Sequence, residues 1–174
     1  MRPIYVTLAL IGVVIALYIA SASTSVSSGA DAKPAPNIAI SNVNAGNKVV
    51  RLSDLKGKVV VLDFWATWCG PCRMSIPGLQ KLYAEQQSRG FEVMGVALEN
   101  DNGSQLPGFL REMKMTYPAG PPTKMEEVRA YSTGSIPQMF LIDKAGRVRW
   151  APEPGYSPGM EAELVQQVEA LLKE

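Results

Sequence analysis

Two stretches of the chain are almost continuously apolar and rich in β-branched and aromatic side chains. They are KVVVLDFWA, residues 58–66, and FEVMGVAL, residues 91–98. Runs of this length predict strands that are buried on both faces of a mainly parallel sheet. Two later runs, QMFLID (138–143) and RVRWA (147–151), flank the turn residues Lys-Ala-Gly and predict an antiparallel hairpin.

Helical spacing of apolar residues follows these strands. It appears in residues 72–90, 104–115, 125–132 and 160–174. Gly90 supplies a stop for the first helix, Pro77 should kink it, and Ser104 is the expected N-cap of the second. The last segment is amphipathic, with its apolar stripe at Leu164, Val168 and Leu171. Strands that alternate with helices, followed by a terminal hairpin and helix, predict a three-layer α/β domain with a mixed sheet.

The residues before the first long strand divide into three parts. Residues 1–22 place one Arg ahead of an uncharged apolar run, which is typical of a membrane anchor or of a signal peptide cleaved after a small-x-small site. Residues 23–35 are small, polar and Pro-bearing, which predicts a flexible linker. The domain then spans 36–174 and opens with a hairpin, because NIAI and KVVRL flank turn-forming Asn and Gly. Since the positive charge precedes the apolar run, both interpretations place the domain outside the cytoplasm.

Charge and composition exclude several classes of function. The formal net charge is +1 at pH 7 and like charges do not form long runs, so nothing favours nucleic-acid binding. The sequence has no histidine, which excludes Ser-His-Asp and Cys-His catalysis and every His-containing zinc or iron site. No cofactor is expected, and the protein is expected to be a monomer.

The chain has two cysteines, Cys69 and Cys72, separated only by Gly70 and Pro71. A structural zinc site needs four N or S ligands, so two thiols without imidazole exclude it for the monomer, and no metal is expected. A purely structural disulfide is also disfavoured, because such a bridge stabilises more when it closes a longer loop. A redox pair needs no further ligand, since residues i and i+3 at the start of a helix lie on one face.

The position of the pair supplies the chemistry. If the strand ends near Ala66 and a helix begins at 69–72, Pro71 falls in the first helical turn, where proline is tolerated. The unpaired N–H groups of that turn stabilise an anion, and the thiolate is the form that attacks disulfides. Cys69, at the exposed tip, is therefore predicted to be the nucleophile, and Cys72, one turn inward, the resolving cysteine. Inert cysteines are the alternative.

The segment VLDFWATWCGPC resembles the active-site segment of thioredoxins. Residues 36–174 as a whole resemble the TlpA/ResA/CcmG type of membrane-tethered thiol-disulfide oxidoreductases, which act in bacterial cell envelopes and in cytochrome c maturation. GSIPQMFLIDKAGRV is similar to the segment that bears the family's cis-proline, and residues 100–122 are similar to an extra helix and strand of this group. The resemblance implies a thioredoxin fold: a central mixed sheet flanked by helices, with an N-terminal β-hairpin extension and an inserted helix and strand.

The resemblance also implies roles for individual residues. Asp63 matches the buried aspartate that exchanges protons with the second cysteine, here Cys72; a structural polar residue of the strand is the alternative. The bond between Ile136 and Pro137 is implied to be cis and to turn the chain beside Cys69. The Ile136 backbone would then be free to pair with an extended substrate segment.

Three further side chains near the cysteines are compared with the same group. Trp68 is expected to flank the site as an apolar wall, with a core position as its alternative, whereas Trp65 is expected in the core. Glu99 matches a second acidic residue near the active site of ResA-like proteins, and an exposed carboxylate at a strand end is the alternative. Ser75 departs from the pattern, because those proteins carry a glutamate at its place.

These features predict an exported thiol-disulfide oxidoreductase of the cell envelope, tethered by residues 1–22. Gly70 and Pro71 resemble the reducing thioredoxins, and the histidine that oxidising relatives place there is absent, so reduction is the expected direction. The expected partners are disulfide- or dithiol-bearing envelope proteins and a membrane electron donor. The alternatives are an oxidant or isomerase of the same fold, a thiol-dependent peroxidase, whose Pro-x-x-x-Thr-x-x-Cys environment is absent, and a non-catalytic binding module.

Overall fold

The computed structural model describes residues 32–100 and 103–174. The predicted anchor or signal peptide, residues 1–22, lies outside the described residues, as does most of the predicted linker. Within the described ranges, no helix has the length and hydropathy that a membrane span requires.

Residues 32–100 and 103–174 form seven strands and four helices, and helices alternate with strands from β3 to β6. The strands are β1 Ala39–Asn42, β2 Lys48–Arg51, β3 Val59–Trp65, β4 Phe91–Ala97, β5 Ala119–Gly120, β6 Gln138–Ile142 and β7 Val148–Trp150. The helices are α1 Gly70–Gln86, α2 Leu106–Glu112, α3 Met125–Arg129 and α4 Pro158–Lys173. Single turns of 3-10 helix follow β1, β2 and α1.

The central sheet is mixed, as the apolar pattern predicts. Its order is β5-β4-β3-β6-β7, with β3 parallel to β4, β4 parallel to β5, and β6 antiparallel to both of its neighbours. All residues of β3 and β4 are buried, which confirms that the two long apolar runs are the middle of the sheet. The predicted N-terminal hairpin is also confirmed, because β1 and β2 pair with each other as a separate antiparallel sheet.

Two apolar layers cover the two faces of this sheet. Alternate residues of β3 point to opposite faces, so Val61 and Trp65 pack with α1, α2 and α4, whereas Leu62 and Phe64 pack with the hairpin and α3. The predicted stripe of α4 is buried in the first of these layers. Each such side chain contributes about 1.5–3 kcal/mol on burial, so the layers fix where α1 begins relative to β3.

Two helix boundaries differ from the sequence prediction. The first helical residue of α2 is Leu106, and the cap residue Gln105 makes no side-chain capping bond, so the prediction that Ser104 caps this helix is wrong. Pro107 lies in the first turn, where its missing N–H costs no hydrogen bond, and the helix therefore starts just ahead of it. Helix α4 begins two residues earlier than predicted because Ser157 caps it, accepting a 3.2 Å hydrogen bond from the Met160 N–H.

The end of the predicted linker is paired with the domain. The Val148 N–H donates to the Lys33 carbonyl at 2.9 Å, and the Ala35 N–H donates to the Gly146 carbonyl at 2.9 Å. Backbone pairing with the turn before β7 and with its first residue therefore begins before Pro36, where the sequence places the start of the domain.

Candidate active site

Cys69 and Cys72 form a disulfide at the beginning of α1. Their Cα atoms are 5.3 Å apart, because Cys69 is the cap residue of the helix and Cys72 lies in its first turn. Gly70 is the first helical residue, and Pro71 occupies the first turn as predicted. A pair with this spacing can close and open with little backbone movement.

The two cysteine residues differ in exposure to solvent, but less than predicted. Cys72 is 0% exposed and Cys69 is 5% exposed. The expectation of an exposed Cys69 is therefore wrong for the disulfide form, because its sulfur is turned inward to bond Cys72. Cys69 remains the more exposed of the two residues.

The start of α1 provides a hydrogen-bond donor for a sulfur anion. The Cys72 N–H donates to Cys69 Sγ at 3.2 Å. When the disulfide is reduced, this N–H and the aligned peptide dipoles of the helix favour the thiolate of Cys69 over its thiol. The local geometry is therefore suited to a nucleophilic Cys69.

The loop before β6 lies against the disulfide. The Ile136–Pro137 peptide bond is cis, as the resemblance implies, and Cys69 Sγ lies 3.8 Å from the Ile136 carbonyl oxygen. The disulfide sulfur carries no proton, so this is a contact and not a hydrogen bond. It shows that the Ile136 backbone is next to the Cys69 sulfur.

A second loop supports the first one. The Gly155 N–H donates to the Pro137 carbonyl at 2.8 Å, and Gln138 Nε2 donates to the Pro152 carbonyl at 2.8 Å. Gln138 is itself buried. These bonds attach residues 151–157 to the Ile136–Pro137 loop, a connection that sequence reasoning missed because it joins segments across the β6–β7 hairpin.

Asp63 lies inside the sheet on the face that packs against α1. It shares this face with Val61 and Trp65, and it is 0% exposed. Neither carboxylate oxygen has a hydrogen-bond partner among the described residues. Burial raises the pKa of the Asp63 carboxyl from 3.8 to about 7, because the charged form loses its hydration. The predicted burial of this acid is confirmed, and its role in proton transfer stays a prediction.

Glu99 holds the loop that leads from β3 into the cysteines. Its two carboxylate oxygens accept hydrogen bonds from the Thr67 backbone N–H and from the Thr67 hydroxyl, both at 2.8 Å. Glu99 is therefore neither a freely exposed carboxylate nor in hydrogen-bond contact with the sulfurs. Its bonds to Thr67 fix the backbone two residues before Cys69.

The surface beside the disulfide is apolar on one side and charged on the other. Trp68 is 59% exposed, so its core alternative is wrong, whereas Trp65 is buried as predicted. Next to Trp68 is an open cleft of about 530 Å³. On its far side the Arg73 guanidinium pairs with Glu112 at 2.9 Å and lies 5.0 Å from the centre of the Phe109 ring. Sequence patterns could not predict this arrangement, since these residues come from two separate helices, α1 and α2.

Ser75 turns inward rather than toward the cleft. Its hydroxyl donates to the Cys72 carbonyl at 2.9 Å, and the side chain is buried. No carboxylate therefore stands where ResA-like proteins carry a glutamate. Within residues 32–100 and 103–174, no group of three acidic, cysteine or histidine side chains is arranged to hold a metal ion.

Relatives of known sequence share this part of the chain. The thiol-disulfide oxidoreductase ResA of Bacillus cereus is 35% identical over 117 residues, which is 67% of this chain and 65% of that protein. ResA of Bacillus subtilis is 34% identical over 124 residues, which is 71% of this chain and 66% of that protein. The matches thus span about two thirds of the length of these relatives.

Solved structures show the same fold. A Chlorobium tepidum protein assigned as a thiol:disulfide interchange protein DsbE is 35% identical and superposes with a TM-score of 0.73, over 81% of this chain and 96% of its own. A second protein of that organism, a thiol:disulfide interchange protein of the thioredoxin family, gives 28% identity and a TM-score of 0.70 over 83% of this chain and 99% of its own. The predicted thioredoxin-like fold is confirmed.

The family model adds the classification of the chain. The model for the AhpC/TSA family matches residues 32–151, which include both cysteines, Asp63 and the Ile136–Pro137 loop. This range also contains β1 to β7 and the first three helices. With most of the fold and all of the cysteine site inside the match, the chain belongs to the AhpC/TSA family.

Proposed function

We propose that this protein is a thiol-disulfide oxidoreductase that exchanges disulfides with the cysteines of other proteins. The observation that supports it most strongly is the Cys69–Cys72 disulfide at the start of α1, beside the Ile136 backbone. The relatives named thiol-disulfide oxidoreductase and thiol:disulfide interchange protein support the same activity.

The exchange proceeds in two substitutions at sulfur. In the reduced protein, the Cys69 thiolate attacks one sulfur of a substrate disulfide, and the other substrate sulfur leaves as a thiolate that takes up a proton. Cys72 then gives its proton to Asp63 and attacks Cys69 Sγ in the mixed disulfide. The second substrate sulfur leaves and is protonated, so the substrate gains two electrons and two protons and this protein keeps the disulfide.

The buried acid suits the second substitution. With a pKa of about 7, Asp63 can accept a proton from a buried thiol and return it in the reverse direction. A carboxylate with its ordinary pKa would be a much weaker base. Cys72 and Asp63 both belong to the apolar layer between β3 and α1, where bulk water is excluded.

The proposed setting is the extracytoplasmic side of a membrane, with residues 1–22 as the anchor or export signal. The proposed direction is reduction of disulfides in exported proteins, among which apocytochromes c are one candidate class. Gly70 and Pro71 between the cysteines support reduction. Neither residue has a side chain that stabilises the Cys69 thiolate, and a strongly stabilised thiolate is what makes such a protein an oxidant. A thiol reductant, or a membrane protein that delivers electrons, must return the disulfide to the dithiol.

The activity can be tested on the full chain in detergent. The reduced protein should reduce a disulfide-bonded model protein when a dithiol regenerates it, and Cys69→Ser should abolish turnover. Hydrogen peroxide serves as the competing substrate. Consumption of peroxide faster than protein disulfide, still dependent on Cys69, would replace the proposal by a thiol-dependent peroxidase.

A further inference from the structure

Buried polar atoms without partners are concentrated beside Asp63. Five such side-chain atoms occur among the described residues, and four of them belong to Asp63, Trp65 and Tyr117. They are both carboxylate oxygens of Asp63, the indole Nε1 of Trp65 and the hydroxyl of Tyr117. Buried polar groups are almost always hydrogen-bonded in folded proteins, so their concentration at one place calls for a common cause.

Strand register brings these three side chains together. Asp63 is directly opposite Gly95 on β4, and Gly95 is opposite Ala119 on β5, so the three residues share one face of the sheet. Tyr117 precedes Ala119 by two positions and returns to that face. The Tyr117 ring can extend over β4 toward Asp63 only because Gly95 has no side chain.

Gly95 provides the space in which the aromatic groups meet. A Cβ at this position would lie 2.9 Å from Trp65 Nε1 and 3.3 Å from Tyr117 Cε2. Real Cβ atoms essentially never approach another atom as closely as the first of these distances. The indole N–H and the Tyr117 ring therefore both lie over Gly95, the residue next to Asp63 in the sheet.

The electrostatic coupling agrees with this placement. Burial, and then the negative charge of Asp63, raise the pKa of the Tyr117 hydroxyl well above its ordinary value of 10.0. Tyr117 is consequently a neutral hydroxyl at neutral pH. A neutral hydroxyl can donate a hydrogen bond to a carboxylate and accept one from a carboxylic acid.

The elements packed around this face carry other titratable or charged groups. They are the cap residue Cys69, then Cys72, Arg73, Lys81, Tyr83 and Glu85 on α1, Glu92 on β4, Arg111 and Glu112 on α2, and Glu161, Glu163, Glu169 and Lys173 on α4. The β6 residue opposite Asp63 is the apolar Met139. Burial is the cause of the raised pKa of Asp63, and none of these charged groups is among its causes.

We propose that Tyr117 is a positioning residue for Asp63: one water, held by the Tyr117 hydroxyl and Trp65 Nε1, donates a hydrogen bond to the ionised Asp63 carboxylate. The bond stabilises the carboxylate and so makes Asp63 easier to ionise than burial alone allows. Three polar partners are enough to hold such a water. Tyr117 thereby adjusts the proton acceptor of Cys72 without touching substrate or sulfur.

The inference rests on the proposed function of Asp63 in the exchange. The first test of it is a titration of Asp63, which does not depend on that function. Tyr117→Phe, in the full oxidised chain, removes only the hydroxyl and keeps the ring over Gly95. The pKa of Asp63, followed by its carboxyl carbon resonance, should rise by about one pH unit, because a hydrogen bond to a charged group is lost. The matched control is Tyr83→Phe. The Tyr83 ring lies 5.8 Å from that of Tyr117, and the Tyr83 hydroxyl interacts with Glu92. This control should leave the Asp63 titration where it was.

The exchange reaction gives a second test. In reduced protein, the pH profile of mixed-disulfide resolution should move upward with Tyr117→Phe by the same amount as the pKa of Asp63. The move should vanish in an Asp63→Asn background, since Tyr117 acts through that carboxyl. If Asp63→Asn alone leaves resolution unchanged, the proposed role of Asp63 fails, while the titration still reports on Tyr117.

Three results would overturn the inference. The first is a folded Tyr117→Phe protein in which Asp63 titrates as before. The second is a Tyr83→Phe protein in which the Asp63 titration moves by the same amount as in Tyr117→Phe. The third needs no variant: the Cζ resonance of Tyr117 in the unsubstituted chain should follow the ionisation of Asp63, and a signal that stays constant across that range excludes the hydrogen bond.

Discussion

Replacing Asp63 by Asn should make the stability of the oxidised protein less dependent on pH. Asp63 is fully buried, and the pKa of its carboxyl is about 7 in the folded protein against 3.8 for an ordinary aspartate. Between these pH values the folded state retains a proton that the unfolded chain has released. The free energy of unfolding must therefore fall as the pH rises through this window.

The size of the effect follows from the two pKa values. A difference between 3.8 and about 7, at about 1.36 kcal/mol per pH unit, corresponds to about 4 kcal/mol. This stabilisation is fully present below about pH 3.8 and is lost once the pH exceeds the folded-state pKa of about 7. An amide at position 63 has no proton to lose, so the variant lacks this decrease.

Denaturant unfolding of both proteins at a series of pH values measures the difference. The free energy of unfolding of Asp63→Asn minus that of the unsubstituted protein should increase by about 4 kcal/mol from acid to neutral pH. Subtraction removes the contribution of other carboxylates, such as Asp143, whose pKa is lowered by hydrogen bonds from Arg147 and Arg149. Parallel curves for the two proteins would refute the reasoning, since Asp63 would then titrate alike in both states.

Asp63→Asn should slow the exchange reaction, although it favours the folded state at neutral pH. Without a carboxylate to take the proton of Cys72, resolution of the mixed disulfide should slow by roughly 10²-fold, the lower end of what general-base catalysis contributes. A variant that is less stable and keeps its turnover rate would mean that Asp63 is only a polar element of the strand.

The remaining predictions concern the nucleophile, the N-terminal segment and the loop before the cysteines. In the reduced protein, the alkylation rate of Cys69 against pH should report a pKa below the ~8.5 of a free cysteine, and faster alkylation of Cys72 would reverse the assignment. A chain that begins at Ala32 should remain folded, soluble and active on a model disulfide, as judged by circular dichroism and turnover; unfolding would show that the preceding residues belong to the core. Glu99→Ala should lower the free energy of unfolding by about 1 kcal/mol and slow exchange, because both hydrogen bonds from Thr67 are lost. Glu99→Gln, which keeps an acceptor for the Thr67 N–H, is the control and should lose less.

The parts of the site that the sequence predicts are the parts that are close together in the sequence. Asp63, Cys69 and Cys72 fall within ten residues, and a buried strand that runs into a helix fixes their relative positions. The strand pattern places Asp63 in the sheet, and the proline between the cysteines marks the first helical turn. The depth of Cys69 was not predictable in this way, because it depends on the direction of its sulfur in the disulfide.

The surroundings of Asp63 depend instead on contacts between distant segments. The register of three strands places Tyr117 on the face of the sheet that carries Asp63, and the bond of Gln138 to the Pro152 carbonyl spans a hairpin. Local periodicity carries no information on such contacts. One signal was available, because a glycine inside a buried strand, here Gly95, indicates that another group approaches the backbone closely.

The central claim is that Cys69 forms the covalent bond to a substrate and that Cys72 releases it. Reduced full-length Cys72→Ser, mixed with a disulfide-bonded protein and analysed by intact mass, should accumulate a one-to-one adduct through Cys69 that a dithiol reverses. Cys69→Ser under the same conditions should form none, because Cys72 is fully buried. An adduct with Cys69→Ser, or the absence of any adduct with Cys72→Ser, would contradict the account.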